Sequence, residues 1–182
     1  MSGRTIAIAA ALSVLAIGSS MITANANPLA TQHFNQGVEK YEAGNYQGAI
    51  ADYTKAIEIN PQNATAYNNR GSAKDDLGDY QGAIDDYDKA IEINPQNADA
   101  YNNRGVAKGN LEDYQGAIAD YTKAIEIDPQ HANAYGNRGF SKGVGFQDSD
   151  GACSDFKKAA SLGLEYRINW LNSDEGAWCR NM

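Results

Sequence analysis

Residues that build metal and catalytic centres are scarce in this chain. The 182 residues include two His and two Cys, and His33 and His131 stand far apart in the sequence. No run of alternating apolar residues predicts a strand, so no glycine-rich phosphate loop follows one. Because no set of reactive side chains converges on one place, the sequence predicts no cofactor, no metal site and no enzyme.

Positive charge is scarce as well. Fifteen Lys and Arg face 23 Asp and Glu, which gives a net charge of −8. A nucleic-acid-binding domain needs a basic face, so this balance argues against nucleic acid as a partner. With 42% hydrophobic and 21% charged residues, the composition is that of one ordinary soluble domain.

The N-terminal segment has the pattern of a secretory signal peptide. Arg4 precedes the apolar run Ile6–Ile17, and the small residues Ala24-Asn25-Ala26 follow it. We expect residues 1–26 to be cleaved and the mature chain to begin at Asn27. An uncleaved anchor is the alternative, although the run is shorter than the roughly 20 apolar residues of a membrane span. We therefore expect export to a periplasm, a lumen or the extracellular medium, with no membrane insertion after cleavage.

Export makes the two cysteines informative. Cys153 and Cys179 both lie in the mature part of the chain. Because an oxidising compartment favours the pairing of an even number of cysteines, we predict a disulfide between them. Two separate buried thiols are the alternative, since burial is a common fate of free cysteine.

A repeat dominates the mature chain. The stretch Tyr46–Asn63 recurs as Tyr80–Asn97 and as Tyr114–His131, with a spacing of 34 residues. A period of this length predicts stacked helix pairs rather than one globular fold. Within each unit, apolar residues recur at steps of three and four, the period of a helix. The array covers residues 27–165, with repeats at 30–63, 64–97, 98–131 and 132–165, and a C-terminal cap follows at 166–182.

Small residues recur at fixed places in the units. The eighth place is glycine in every unit: Gly37, Gly71, Gly105 and Gly139. The twentieth place is alanine in three units: Ala49, Ala83 and Ala117. Glycine inside a helix costs about 1 kcal/mol relative to alanine, so its recurrence indicates close helix packing. Between the helices of unit two, Gly78 is expected to form the turn, and Asn94-Pro95 to end the second helix.

These features resemble the tetratricopeptide repeat. The resemblance consists of the 34-residue period, the glycines and alanines, the closing proline and three aromatic residues, Tyr53, Tyr87 and Tyr121. It implies an all-α, right-handed superhelical solenoid of antiparallel helix pairs, with each first helix lining a concave groove. It also implies that the protein holds proteins or peptides and has no chemistry of its own. The tail resembles that of exported bacterial repeat proteins.

The fourth unit departs from the pattern. It carries one inserted residue between Gly139 and Asp148, and we expect residues 143–145 to form a loose connection. The tail after it holds both tryptophans of the chain, Trp170 and Trp178. Terminal units need to cover an end that has no neighbour, so the tail is predicted to be a capping helix. A tryptophan-based docking surface is the alternative.

Asparagine recurs at the sixth place of each unit. The four residues are Asn35, Asn69, Asn103 and Asn137. A carboxamide both donates and accepts hydrogen bonds, so a row of them could hold the backbone of an extended peptide. Asparagines at the matching place bind peptide backbone in the repeats of O-linked N-acetylglucosamine transferase, and the resemblance implies the same role here. Helix packing or hydrogen bonds between helices are the alternative.

The charges expected in the groove are acidic. The second and fifth places of the units, where related proteins carry the Lys and Arg that clamp a partner's C-terminal carboxylate, hold no basic residue. Asp75 and Asp76, with Asp99, are expected to make the middle of the groove acidic and to favour neutral or basic segments. A solvated acidic face is the alternative. A second set of recurrent charges predicts Arg–Asp pairs along the stack, from Arg70, Arg104 and Arg138 and from Asp52, Asp86, Asp120 and Asp155.

The sequence as a whole indicates a non-enzymatic scaffold that binds a protein or peptide in its groove. The alternative is a structural subunit that associates with itself as a weak homo-oligomer. Exposed repeat faces or the tryptophan-containing tail would then form the contact.

Overall fold

The computed structural model describes residues 27–181, which fold into helices joined by short connections. The signal peptide predicted for residues 1–26 lies outside the described residues. The ten helices of the described range are α1 (Pro28–Glu42), α2 (Tyr46–Ile59), α3 (Ala64–Asp76), α4 (Tyr80–Ile93), α5 (Ala98–Asn110), α6 (Tyr114–Ile127), α7 (Ala132–Phe146), α8 (Ser149–Ser161), α9 (Glu165–Asn172) and α10 (Ala177–Arg180).

Most of these helices begin with a side chain that caps the first turn. Asp79 accepts a hydrogen bond from the backbone N–H of Gly82 at 3.0 Å, and Asp113 does the same for Gly116 at 2.9 Å. Asn63 and Asn97 cap α3 and α5 in the same way. Such a cap is worth about 1 kcal/mol because it satisfies a backbone donor that has no partner within the helix. The recurrent Asn and Asp therefore fix where most of the helices start.

Left-handed residues and prolines fix where the helices stop. Gly78 has a φ of 80° after α3, and Asn94 follows the last residue of α4, as predicted. In unit three the corresponding turn residue is Glu112, which adopts a φ of 64° although it has a side chain. The turn is thus imposed by the packing of the two helices it joins, since an L residue adopts this conformation at a cost.

The helices stack as consecutive antiparallel pairs. In each unit the first helix packs against the second, and each second helix packs against the first helix of the next unit. The predicted all-α solenoid of helix pairs is therefore confirmed. Between residues 27 and 181, none of the helices is both long enough and apolar enough to cross a membrane.

The core of each unit forms where an aromatic ring meets a glycine. The Tyr87 ring is 2% exposed. A Cβ added at Gly71 would lie 2.7 Å from that ring, so only glycine allows the two helices to approach this closely. Ala83, on the same helix as Tyr87, is fully buried. The close packing predicted from the recurrent small residues is confirmed.

One prediction for unit four is wrong. Residues 143–145 do not form a loose connection but continue α7, which ends at Phe146. Gly145 packs directly on the preceding unit, because a Cβ there would lie 2.6 Å from Cβ of Tyr114. The inserted residue therefore lengthens the helix, and the turn moves to Gln147 at a φ of 55°.

Candidate functional site

Three adjoining cavities follow the first helices along the concave side of the stack. The first cavity, of 230 Å³, lies between α1 and α3, and the second, of 170 Å³, lies between α3 and α5. The third, of 150 Å³, lies between α5 and α7. Tyr41 and Ser72 line both the first and the second cavity, and Val106 lines both the second and the third. The cavities therefore form one continuous groove, with one cavity for each junction between units.

Five asparagines beside the groove form a hydrogen-bonded series, which we call the amide chain. Asn137 Nδ2 donates to Asn102 Oδ1 at 3.1 Å. Asn102 donates to Asn103 at 3.2 Å, and Asn103 donates to Asn68 at 3.3 Å. Asn68 Nδ2 then lies 3.5 Å from Asn69 Oδ1. The amide chain joins α7, α5 and α3, so the amides do link helices, which was the alternative expectation for the sixth-place asparagines.

The sixth-place asparagines also face the groove. Asn69, Asn103 and Asn137 line the first, second and third cavities, respectively. The Asn69 side chain beside the Tyr53 hydroxyl partly offsets the rise in the pKa of Tyr53 caused by burial. Asn35 is exposed on α1, ahead of the first cavity. Three of the four predicted asparagines therefore line one cavity each. Asn35 is not among the residues that line the three cavities.

Carboxylates line the groove near its middle. Asp76 is exposed and accepts a hydrogen bond from the Tyr41 hydroxyl at 2.6 Å. Asp75 is half-buried in the second cavity, and its Oδ1 is shielded from solvent without a hydrogen-bond partner. Burial and the adjacent Asp76 raise the pKa of Asp75. Asp99, which we expected to add to this acidic region, instead lies 3.2 Å from His131 at the junction of units three and four.

A second set of charges lies behind the groove, between the two helices of each unit, and we call it the carboxylate layer. Asp120 accepts two hydrogen bonds from Arg104, at 2.9 and 2.5 Å, and lies 2.7 Å from Lys108 Nζ. Arg104 also contacts Asp88 on α4 at 2.6 Å. The Arg104 guanidinium lies 5.4 Å from the centre of the Tyr101 ring. The hydrogen bonds that Arg104 donates to Asp120 raise the pKa of Arg104.

The same arrangement recurs in the neighbouring units. Asp86 is held by Arg70 and Lys74, and Asp155 by Arg138 and Lys142. The predicted Arg–Asp pairs are confirmed in units two to four. Unit one has Gln36 in place of the arginine, and its Asp52 pairs with Lys40, which lowers the pKa of Asp52. The lysines were not predicted as members of these sets, although their recurrence three residues after each eighth-place glycine could have revealed them.

The C-terminal tail forms a cap on unit four. Cys153 and Cys179 are joined as a disulfide in the structure, with Cα atoms 5.4 Å apart, which ties α10 to α8. Trp170 packs edge-on against Phe156 of α8, with ring centres 5.0 Å apart. Trp178 packs on Trp170 but remains 43% exposed. The tail therefore covers the end of the stack, and Trp178 presents part of its ring to solvent.

The two histidines lie in separate places. His33 on α1 is 3.8 Å from Asp52, and His131 caps α7. Within residues 27–181, no cluster of His, Cys, Asp and Glu could hold a metal ion.

Several groove residues were missed by the sequence reasoning. The ninth places, Val38, Ser72, Val106 and Phe140, all line cavities, and their spacing of 34 residues was available as a signal. No sequence signal connects Tyr41 with Asp76, which are 35 residues apart.

Comparison with known families agrees with this architecture. The family described as TPR repeat matches residues 37–74 and 76–112, and the family described as tetratricopeptide repeat matches residues 98–131. The chain belongs to the tetratricopeptide repeat (TPR) family. Proteins of this family are generally non-enzymatic scaffolds for interactions between proteins. No curated protein matches the chain.

Solved structures with the same fold include three informative relatives. The TPR domain of Arabidopsis OM64 is 32% identical, and the match covers 63% of this chain and 95% of that domain with a TM-score of 0.62. MamA is 29% identical over 80% of this chain and 85% of its own, with a TM-score of 0.69. The first TPR of Spaghetti (RPAP3), bound to an HSP90 peptide, is 28% identical over 63% of this chain and 91% of its own, with a TM-score of 0.62.

Proposed function

We propose that this protein is an exported scaffold that holds an extended segment of a partner protein in the groove between its first helices. The observation that carries the proposal is the amide chain, which runs beside three connected cavities and places one sixth-place asparagine in each. An exported bacterial protein of this kind would act as an assembly adaptor, with no reaction and no cofactor of its own.

The amides have hydrogen-bonding capacity to spare. Each carboxamide carries two N–H groups and an oxygen with two lone pairs. The amide chain uses one N–H of Asn103 and one of Asn137, each in a single bond to a neighbouring asparagine. A peptide backbone must pair its own N–H and C=O groups when it leaves water. The remaining donors and acceptors in the groove can supply those partners whatever the peptide's side chains are.

The relatives support a peptide as the partner. The Spaghetti TPR is bound to an HSP90 peptide of sequence SRMEEVD. In the present chain, however, the groove contains Glu42, Asp75 and Asp76. These carboxylates would repel an acidic peptide, so we propose a neutral or basic segment as the ligand.

The disulfide supports the proposed export. Cys153 and Cys179 lie within bonding distance and are both almost completely buried. Structural disulfides persist in oxidising compartments and are rare in reducing ones. Cleavage after residue 26 can be tested by N-terminal sequencing of the protein recovered from the exported fraction. A chain that retains Met1 in the membrane fraction would instead be anchored.

Selection from a random displayed peptide library tests the groove. Peptides retained by the protein should lose at least about tenfold in affinity in the variant Asn69→Ala/Asn103→Ala/Asn137→Ala, since three hydrogen bonds of about 0.5–1.5 kcal/mol each are removed. The matched control, Gln47→Ala/Gln81→Ala/Gln115→Ala, removes three exposed amides from the second helices and should bind as the natural protein does. Equal binding by all three proteins would contradict the proposal.

Self-association is a second candidate function, favoured by the exposed apolar surface of the cap. Trp178 is 43% and Ile168 37% exposed there. A solution mass that rises with concentration, and returns to that of a monomer in Trp178→Ser, would support it. A monomer at all concentrations would leave the groove as the functional surface.

A further inference from the structure

The lining of the groove changes in character from one end to the other. Glu42 lies in the first cavity, and Asp75 and Asp76 lie in the second. The third cavity has no charged side chain among its lining residues, which include Val106 and Phe140. A ligand that fits the whole groove must therefore differ in chemistry along its length.

The negative charge of the first two cavities is not neutralised by the lysines of the first helices. Lys74 and Lys108 turn away from the groove and lie 2.8 and 2.7 Å from carboxylates of the second helices. Tyr41 donates to one oxygen of Asp76, and that side chain remains exposed. A cationic side chain of a ligand would find an acceptor here that no cation of the groove occupies.

The other end of the groove is an apolar strip on α7. Phe140 is 53% exposed, and Val144, one turn further along the same face, is 52% exposed. Tyr166 of α9 lies beside the preceding turn of α7, where its hydroxyl would be 2.9 Å from a Cβ added at Gly136, and its side chain is also exposed. Adjoining exposed apolar side chains in a concave surface mark a place where another apolar group binds.

The distance between the acidic second cavity and the apolar third cavity determines how far apart the matching side chains of a ligand must be. Packed helices lie about 8–10 Å apart. An extended peptide in the polyproline II conformation advances about 3.1 Å per residue with three residues per turn, so its side chains three residues apart point to the same side. One step between neighbouring cavities therefore corresponds to about three residues of such a peptide.

We propose that the ligand is an extended peptide in which a lysine or arginine and an aromatic or large aliphatic residue are separated by two residues. This inference rests on the proposed function and adds the side-chain pattern to it. The cation lies in the second cavity beside Asp76 and within reach of Glu42. The apolar side chain lies in the third cavity against Phe140, and Val144 lies one turn further along α7.

Four synthetic peptides test the pattern. Each is an acetylated and amidated Gly/Ser decapeptide with a fluorescent label. The first carries Lys and Phe with two residues between them, the second replaces Lys by norleucine, the third replaces Phe by Ala, and the fourth carries both replacements. Fluorescence anisotropy in low salt gives the affinity of each peptide for the natural protein and for two variants, Glu42→Gln/Asp76→Asn and Phe140→Ala.

Each replacement in the peptide should weaken binding to the natural protein more than it weakens binding to the variant that lacks the matching groove residue. Replacing Lys by norleucine should weaken binding to the natural protein about fivefold, the upper range for an exposed ion pair. The effect should be clearly smaller in Glu42→Gln/Asp76→Asn, in which Asp75 is the only carboxylate left among the lining residues of the first two cavities. Replacing Phe by Ala should weaken binding at least about tenfold, and by clearly less in Phe140→Ala. The control Glu58→Gln/Glu126→Gln removes the same charge from the second helices and should discriminate as the natural protein does.

Two results would overturn the pattern. One is that none of the four peptides binds, and the other is that the replacements have the same effect in the natural protein and in the variants. Either result leaves the proposed function intact if peptides selected from the random library still depend on Asn69, Asn103 and Asn137. If the selected peptides bound equally well without these three asparagines, the proposed function itself would be contradicted. Failure of the side-chain pattern and failure of the proposed function can therefore be told apart.

Discussion

The carboxylate layer and the amide chain are both copied from unit to unit, but they differ in how completely their hydrogen bonds are satisfied. In the carboxylate layer, Asp120 is 6% exposed and both of its oxygens are bonded to cations. In the amide chain, Asn103 uses one N–H toward Asn68 and its oxygen toward Asn102, and Asn137 makes a single bond to Asn102; each keeps at least one free N–H and lines a cavity. Recurrence along the chain therefore does not distinguish residues that stabilise the fold from residues that bind a ligand. Unused hydrogen-bond donors and acceptors at an open surface do distinguish them.

The largest effect should come from removing a carboxylate of the layer. Asp120→Ala leaves Arg104 and Lys108 without their common partner behind the groove. We expect the free energy of unfolding to fall by about 3 kcal/mol, as when one partner is removed from a buried ion pair. Urea unfolding followed by circular dichroism measures this loss.

Asp88 provides the matched control for this variant. It contacts the same Arg104 at 2.6 Å but its side chain is 54% exposed. Asp88→Ala should therefore cost less than about 1 kcal/mol. Equal losses of unfolding free energy in Asp120→Ala and Asp88→Ala would show that burial does not determine how much these ion pairs stabilise the fold.

A smaller effect should follow from removing the arginine. Arg104→Leu leaves Lys108 on Asp120, so the carboxylate keeps one cation, and leucine retains much of the apolar contact. We expect a loss of about 1–2 kcal/mol, the value of charge-assisted hydrogen bonds, in the same urea measurement. The control Arg104→Lys keeps the charge but not the two-pronged geometry. An unchanged or raised melting temperature in Arg104→Leu would show that the pair is not a net stabiliser.

The amide chain should contribute less to stability than the carboxylate layer does. Asn103→Ala removes its bonds to Asn68 and Asn102, but the groove can admit water to the remaining amides. We expect a loss of about 1 kcal/mol, typical of neutral hydrogen bonds. A loss as large as that of Asp120→Ala would indicate that the amide chain is primarily structural and would weaken the case for binding.

The smallest expected effect is an increase in the free energy of unfolding, in the variant Asp75→Asn. Burial and Asp76 raise the folded-state pKa of Asp75 above its ordinary value of 3.8. As pH rises between these two values, the unfolded chain loses its proton first, so the natural protein loses stability, and it stays less stable at neutral pH.

Asp75→Asn removes that loss. The variant should be more stable at pH 7 by less than about 1 kcal/mol, the scale of a partly solvated charge. The difference should shrink as the pH is lowered toward 4, and urea unfolding at several pH values measures it. The other titratable groups near Asp75 on packed helices include Tyr41, Tyr87 and Tyr121. Burial raises the pKa of all three, so they stay protonated over this range. A variant that is less stable than the natural protein at every pH would show that the Asp75 carboxylate stabilises the fold, contrary to this prediction.

The sequence was sufficient for the repeat architecture. The helices, their caps and their turns depend on residues within one unit, so the period of 34 residues and the positions of Gly, Asn and Pro specify them directly. Close packing at the recurrent small residues and Arg–Asp pairs were also predicted from recurrence. The structure forms them within one unit, between Tyr87 and Gly71 and between Arg70 and Asp86. Contacts inside a helix pair repeat whenever its residues repeat.

Contacts between units were decided only by the tertiary structure. The bond from Tyr41 to Asp76 and the bond from Asn137 to Asn102 join residues of different units, and the approach of Tyr166 to Gly136 joins the cap to unit four. They depend on how far each pair of helices is displaced and rotated relative to the next, which no spacing along the chain encodes. The inserted residue in unit four also depends on packing between units. The glycine-rich segment 143–145 is helical where it packs against Tyr114 of the preceding unit. The sequence by itself determined the units and their helix pairs, and the stacking of the units determined the groove, since its cavities exist only between neighbours.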